Sequence, residues 1–518
     1  MLVILFYSLL LVSMYLFLSF SLKGKLFLLL MNFNTFLSNL SLTMSSQLMF
    51  YFTSTVLFLS LVIFSFSFLY MNSDPPLNRF MLVLFIFILS MVILNNGNSI
   101  WTLWLGWEGL GISSYLLIMY YNNWKSNNSA MTTLLLNRIG DFCLLVSFLK
   151  FTQILLWTFE NFSFTPLLIL LILVAMIAKS AQMPLNSWLP IAMAAPTPVS
   201  SLVHSSTLVV AGTILCIKLN SYYFIYAMFL LSLLGFLTSF YASMMATLEK
   251  DLKKVLAYST MSQIALVMFM LSTNLKELMI MHIINHAMVK ALLFINVGNF
   301  ILFMFGNQDT RILQSNNSLL MIIASSIICL IIMCGITFTS AYYSKEYSLL
   351  FSMKSETLLT VVNLMIFFSF AYSTRLVYLF LKSSNSMMIY SKSFHPSMLS
   401  SSIAYPIALI NGWIFTYNYS LPLNNTWMSN KSTMLMIPLT ITIFYLMFNS
   451  SLSFNNIDFM YTIMNNLTTF KLSMTNKMKS MTLSMNMTLM SYNNISYFPL
   501  ILASFTVLLV TMILNIFL

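Results

Sequence analysis

Apolar residues run along this chain in unbroken stretches of about twenty, separated by short polar or charged punctuation. A helix crossing the ~30 Å hydrocarbon core of a bilayer needs roughly 20 such residues. Windows of that length predict fifteen spans, at 1–22, 49–70, 79–95, 98–121, 130–156, 166–190, 198–219, 222–247, 254–274, 277–304, 318–345, 355–382, 402–420, 432–450 and 497–518. Lipid gives backbone groups no hydrogen-bonding partner, so only a helical bundle or a closed barrel can cross it. Runs this continuous lack the alternation of a barrel strand. The expectation is an all-α membrane protein of about 15 transmembrane helices with short connections. The stretch 1–22 has no basic lead and no small-residue cleavage site, so it reads as a retained first helix rather than a signal sequence.

Two stretches depart from the pattern. Over 36–48, Leu40, Leu42 and Met44 alternate with Ser41, Thr43 and Ser45, a strand periodicity that suggests a surface hairpin. The stretch 451–496 is rich in Asn, Ser, Thr and Met and carries Lys471, Lys477 and Lys479 against a single acid, Asp458. It contains no proline, so it fits either a long amphipathic helix lying on the membrane or a linker.

Composition strengthens the membrane reading. Of 518 residues, 59% are hydrophobic and 7% charged, whereas a soluble domain carries about 25% charged residues. The 23 Lys and Arg against 11 Asp and Glu are scattered singly between apolar runs, which argues against nucleic acid as a partner. Cys143, Cys216, Cys329 and Cys334 sit alone in hydrophobic stretches, with no pairing or metal-type spacing, so they read as small buried hydrophobes. No haem, iron–sulfur or disulfide framework is indicated.

The candidate chemistry lies in charges that fall inside spans. An ionisable side chain at mid-helix costs about 2.5 kcal/mol or more on insertion scales, so each one needs a reason. Glu108 stands in Trp107-Glu108-Gly109-Leu110-Gly111, where an opposite charge would be its cheapest companion. Arg138 and Asp141 are three apart on one helix and can face each other, as a self-neutralised pair or as part of a relay. Lys179 is followed by Pro184 and Pro190, so its helix should break at or near the lysine. Broken helices near the midplane form ion sites in transporters, and a lysine in an apolar setting releases its proton more readily than one in water. His204 follows the run Pro196-Thr197-Pro198-Val199-Ser200. His282, His286 and Lys290 recur every fourth residue, which keeps them on one stripe of a helix. Two histidines so spaced resemble a metal pair, but Ile283 stands where the zincin pattern needs Glu, so no metal is expected. Lys345 and Glu346 close the series at the end of another span. Glu249, Lys250, Asp251, Lys253 and Lys254 read as a solvated loop, with Lys253 a minor candidate. Titratable groups that recur span after span have the composition of a proton pathway.

The same residues resemble a known family. Tyr70-Met71-Asn72-Ser73-Asp74-Pro75, Gly106-Trp107-Glu108-Gly109, Asn137-Arg138-Ile139-Gly140-Asp141, the run from Lys179 to Gly212, Asp251-Leu252-Lys253-Lys254, His282…His286…Lys290, Tyr343-Ser344-Lys345-Glu346 and Tyr372-Ser373-Thr374-Arg375 are similar to the subunit 5 family of NADH dehydrogenase, the distal antiporter-like subunits of respiratory complex I. The likeness is dense from about 68 to 382. It implies a proton pump of the mitochondrial inner membrane, built from two inverted five-helix repeats with broken helices, at 79–219 and 222–382. Residues 1–78 would form N-terminal helices with the hairpin, 383–450 accessory helices, 451–496 a lateral helix and 497–518 its anchor. The resemblance implies that Glu108 pairs with Lys179, and that His204, His282, His286 and Lys290 form a hydrated axis. Lys345 and Glu346 would serve the half-channel by which protons enter or leave. It also implies no cofactor in this chain, with NADH, FMN, iron–sulfur clusters and ubiquinone held by other subunits. Its partners would be other membrane-arm subunits, including a neighbouring antiporter-like one, and membrane lipids. Family members usually carry Gly-x-Pro in the second broken helix; Gly335-Ile336-Thr337 has no proline, so a break there rests on Gly335 and nearby hydroxyls.

Two other classes compete. The large subunit of a multisubunit cation/proton antiporter shares this logic without NADH, although 43 methionines and few charges resemble mitochondrially encoded chains. A scaffold whose charges are inert ion pairs would keep pumping when Lys179 or Glu108 is neutralised.

Overall fold

The computed structural model describes residues 32–35, 38–41, 47–71, 74, 76–97, 100–153, 166–218, 225–271, 276–304, 306–310, 320–335, 339–352 and 356–381. The helices expected at 1–22, 402–420, 432–450 and 497–518, and the lateral helix or linker at 451–496, lie outside the described residues.

Strands β1 (Asn32–Thr35) and β2 (Ser38–Ser41) pair antiparallel, with Asn32 opposite Ser41 and Thr35 opposite Ser38. Of the hairpin expected at 36–48 only Ser38–Ser41 is strand, as the second arm of a pair whose first arm is the polar Asn32–Thr35 that alternation does not single out; 42–46 lie outside the described residues and Gln47 already opens a helix.

Helices follow in the order the apolar windows predict. They are α1 (Gln47–Tyr70), α2 (Leu77–Asn96), α3 (Ile100–Ile118), α4 (Trp124–Gln153), α5 (Pro166–Lys179), the short α6 (Trp188–Ile191) and α7 (Thr197–Lys218). Then come α8 (Ile225–Leu248), α9 (Leu252–Leu271), α10 (Lys276–Phe303), α11 (Leu320–Cys334), α12 (Ser340–Ser352) and α13 (Glu356–Leu381). Eight helices among the described residues are long and apolar enough to cross a membrane. The chain is a multi-pass helical membrane protein.

Two predicted spans are interrupted. The span at 166–190 ends its first helix at Lys179, and the span at 318–345 breaks at Gly335. The end of α5 forms a Schellman closure: Ala181 takes the left-handed conformation (φ 52°), and the Gln182 amide donates to Ile177 O at 3.0 Å. Pro184 cannot continue the helix, so the last carbonyls turn to side chains; Trp188 Nε1 donates to Ala178 O at 2.9 Å.

Burial separates inner from outer helices. An 18-residue stretch within Glu277–Leu302 of α10 is wholly buried, and equal stretches of Thr197–Lys218 and Leu252–Leu271 are 94% buried, against 44% in Leu77–Asn96 and 39% in Trp124–Leu149. The polar stripe of α10 thus lies at the centre of the bundle, while α2, α4 and α8 present apolar faces outward. Close approach of α4 to α5 depends on Gly140, where an added Cβ would stand 2.6 Å from Ala178 Cβ. That contact sets Asp141 beside the end of α5.

A candidate proton-conducting file

The first cluster joins α3, α4 and α5 at the break. Lys179, fully buried as the last residue of α5, donates to Trp107 O at 2.8 Å and stands 4.6 Å from the Trp107 ring centroid. Its nearest carboxylate oxygen is Asp141 Oδ1 at 3.6 Å, close enough for attraction but too long for a hydrogen bond. Asp141 Oδ1 instead accepts from Trp107 Nε1 at 2.7 Å, and its Oδ2 is buried without a hydrogen bond, 3.8 Å from Arg138.

The expected partnership of Glu108 with Lys179 is corrected. Glu108 Oε2 binds Arg138 Nη1 at 2.5 Å, and the anion facing Lys179 is Asp141. Helical geometry gives the reason. Trp107 and Glu108 are successive residues about 100° apart around α3, so while Trp107 faces the lysine, Glu108 points to the outer side where Arg138 lies half exposed. The Arg138–Asp141 pair expected on one helix is present, but it is the loosest of the three contacts.

His204 occupies a π-helical turn, Val203–Thr207, within α7, its ring 6.1 Å from that of Trp188. The Thr207 hydroxyl donates to Leu202 O at 3.0 Å, five residues back, and so meets a carbonyl that the widened turn displaces. Both His204 nitrogens are buried without a protein partner.

On α10, His282 Nδ1 lies 2.8 Å from Ser344 Oγ of α12. Because that hydroxyl donates to Ala341 O, it accepts from His282 and leaves Nε2 as the free acceptor, with no protein partner. His286 has neither nitrogen bonded. Lys290 donates to the Ser259 hydroxyl of α9.

Lys345 on α12 reaches back across the break. It donates to Met333 O at 2.7 Å, Cys334 O at 3.2 Å and Ser369 Oγ at 3.1 Å, so its ammonium occupies the carbonyl end of α11. Gly335, at φ 78°, ends α11 without the family's proline. Replacing it with alanine should cost about 1 kcal/mol for the left-handed backbone alone. The new Cβ would also stand 3.2 Å from Lys345 Cδ. A lower thermal midpoint of the membrane-embedded protein checks this. Glu346 is not brought to Lys345: it sits about 100° further round the helix, bonded to Tyr342 one turn earlier.

Among the described residues no ion pair is formed by Lys290 or Lys345, and no group of His, Cys, Asp or Glu could hold a metal. Of the cluster read as a solvated loop, Lys254 and Asp251 do pair near the surface at 3.0 Å, but Lys253 is buried and donates to Ala195 O at 3.1 Å. Sequence reasoning did not single out Trp107, Ser259, Ser344 or Ser369. Serine recurs in most spans, so its sequence position carries no signal; Trp107 was flagged only by its neighbour.

Residues 97–374 match the family described as NADH:quinone oxidoreductase/Mrp antiporter, transmembrane region. The chain is 42% identical over 360 residues to NADH-ubiquinone oxidoreductase chain 5 of Caenorhabditis elegans, covering 67% of each protein. It is 40% identical over 337 residues to the same chain of Locusta migratoria, covering 63% of this chain and 58% of that one. The archaeal membrane-bound sulfane sulfur reductase shares the fold at TM-score 0.69 and 19% identity, over 80% of this chain and 89% of that one. The Mrp complex of Dietzia sp. DQ12-45-1b does so at 0.67 and 21%, over 90% and 55%. A broken helix ending at a buried lysine, a second with a lysine on its carbonyl end, and these matches place the chain in the NADH:quinone oxidoreductase/Mrp antiporter transmembrane family, among its NADH-ubiquinone oxidoreductase chain 5 members.

Proposed function

We propose that the chain is a proton-translocating membrane subunit of an NADH:ubiquinone oxidoreductase, seated in the mitochondrial inner membrane beside other membrane-arm subunits. Protons pass along a lateral file that includes Lys179, His204, Lys290, His286, His282 and Lys345, the last four in that order along α10 and on to α12, with Asp141, Arg138, Glu108 and Glu346 modulating its two ends. Redox chemistry and its cofactors belong to partner subunits, and a neighbouring antiporter-like subunit and lipids cover the outer faces. Two runs of five helices, 79–219 and 222–382, each with the fourth interrupted, support the inverted-repeat plan.

One observation carries the reading: five imidazole nitrogens of His204, His282 and His286 lie deep in the bundle with no hydrogen bond from the protein, and the Lys290 and Lys345 side chains bond only neutral groups. Such groups are stable in an apolar interior where water completes their bonding, and water that bridges titratable groups carries protons between them. A scaffold whose charges are inert ion pairs would set Lys290 and Lys345 against acids, and neither forms an ion pair among the described residues.

The test is proton movement in sealed vesicles carrying the assembled enzyme with Lys179→Ala. NADH oxidation should persist while protons moved per NADH fall; unchanged pumping sinks the proposal. Proton movement driven by a Na⁺ gradient without NADH would favour the cation antiporter instead.

A further inference from the structure

Two cations outside this file make the same contact twice. Lys218, the last residue of α7, donates to Leu94 O and Gly97 O, both at 2.7 Å. Arg375, on α13, donates through Nη1 to Ala246 O at 2.7 Å and through Nη2 to Glu249 O at 2.8 Å. The carbonyls occupy one register. Helix α2 ends at Asn96 and α8 at Leu248, so each cation takes the carbonyl two residues before the last helical residue and the one just after it. In each run of five, the acceptor helix is the first and the donor helix the fifth.

The separations along the chain are 124 and 121 residues in the first case and 129 and 126 in the second. The constant difference of five follows from the shared register of the two carbonyls. The physical need is shared: the last carbonyls of a helix receive no intrahelical hydrogen bond, and a cation complements the negative end of the helix. Arginine does it with two prongs of a fork, lysine with one ammonium bridging both oxygens.

We propose that Lys218 and Arg375 are equivalent positions of a duplicated five-helix unit, each closing its unit by clamping the fifth helix to the carbonyl end of the first. They are positioning residues. Lys218 fixes the helix that carries His204 on its π-helical turn, and Arg375 fixes the helix whose Ser369 receives Lys345.

The test uses the assembled enzyme in vesicles. Lys218→Met and Arg375→Met should each shorten survival at elevated temperature several-fold and reduce protons moved per NADH, a ratio that mere loss of folded protein leaves unchanged. Lys218→Arg and Arg375→Lys should restore both readouts. If a methionine variant does not assemble, Lys218→Gln and Arg375→Gln, which keep a donor without charge, should give intermediate survival. Methionine variants matching the parent, a cation swap that fails to rescue, or a ratio unmoved by either methionine change would each overturn the clamp. The heat-survival and rescue arms do not depend on pumping, so they still judge the clamp if Lys179→Ala shows that the file does not conduct.

Discussion

Replacing Asp141 by asparagine is expected to reduce NADH-driven proton movement by about tenfold or more. The change is nearly isosteric: the carbonyl of the new amide can still accept from Trp107 Nε1, which binds the aspartate at 2.7 Å, so the packing of α3 on α4 survives. Charge alone is lost. Lys179 would keep only Trp107 O and the Trp107 ring face, with its one facing carboxylate gone. Removing one member of a buried pair costs about 3–5 kcal/mol, because the remaining charge is left uncompensated. Left without its facing anion, Lys179 can no longer exchange protons with its neighbours on the terms the native pair sets. Protons moved per NADH, read by a pH-sensitive dye in sealed vesicles, report this directly. Glu108→Gln should do less, because the guanidinium it releases is half exposed. Pumping at the parental level in the Asp141→Asn enzyme would reduce Asp141 to a strut for Trp107.

Lys345→Met should have the second large effect, with a different signature. The ammonium donates three bonds, two of them to carbonyls stranded where α11 stops. Each hydrogen bond to a charged group is worth about 1.5–3 kcal/mol, so methionine should both loosen the break and remove a proton-carrying site. The expected result is lost proton movement together with a thermal midpoint lowered by several degrees. Lys345→Arg separates the two. Its fork can still hold carbonyls and restore heat resistance, but a guanidinium stays protonated, so proton movement should remain defective. An arginine enzyme that pumps normally would show that Lys345 acts only as a cap.

The outline of the bundle was legible in the sequence because lipid imposes a length and a polarity on every crossing helix. The windows at 49–70, 79–95 and 222–247 fall within a few residues of α1, α2 and α8. The break at Lys179 was legible too, since Pro184 and Pro190 cannot lie in a continuous helix. The break at Gly335 was the harder case, and glycine's left-handed backbone supplies what the absent proline would have. The π-helical turn under His204 left no trace, because the side-chain pattern of one widened turn is indistinguishable from that of an ordinary one.

Side chains that are expensive in lipid had to be few, and the sequence alone identified six of them, Lys179, His204, His282, His286, Lys290 and Lys345, which are all buried, though it passed over Lys218 within the predicted span 198–219. Partnership is a different kind of fact. That Glu108 serves Arg138 while Asp141 faces Lys179, and that Lys345 takes the carbonyl end of α11, depends on how α3, α4 and α5, and α11 and α12, are rotated and spaced. Charge and cost are properties of single residues. Pairing is a distance of a few ångströms between residues tens of positions apart, and only packing, through contacts such as Gly140 on Ala178, sets that distance.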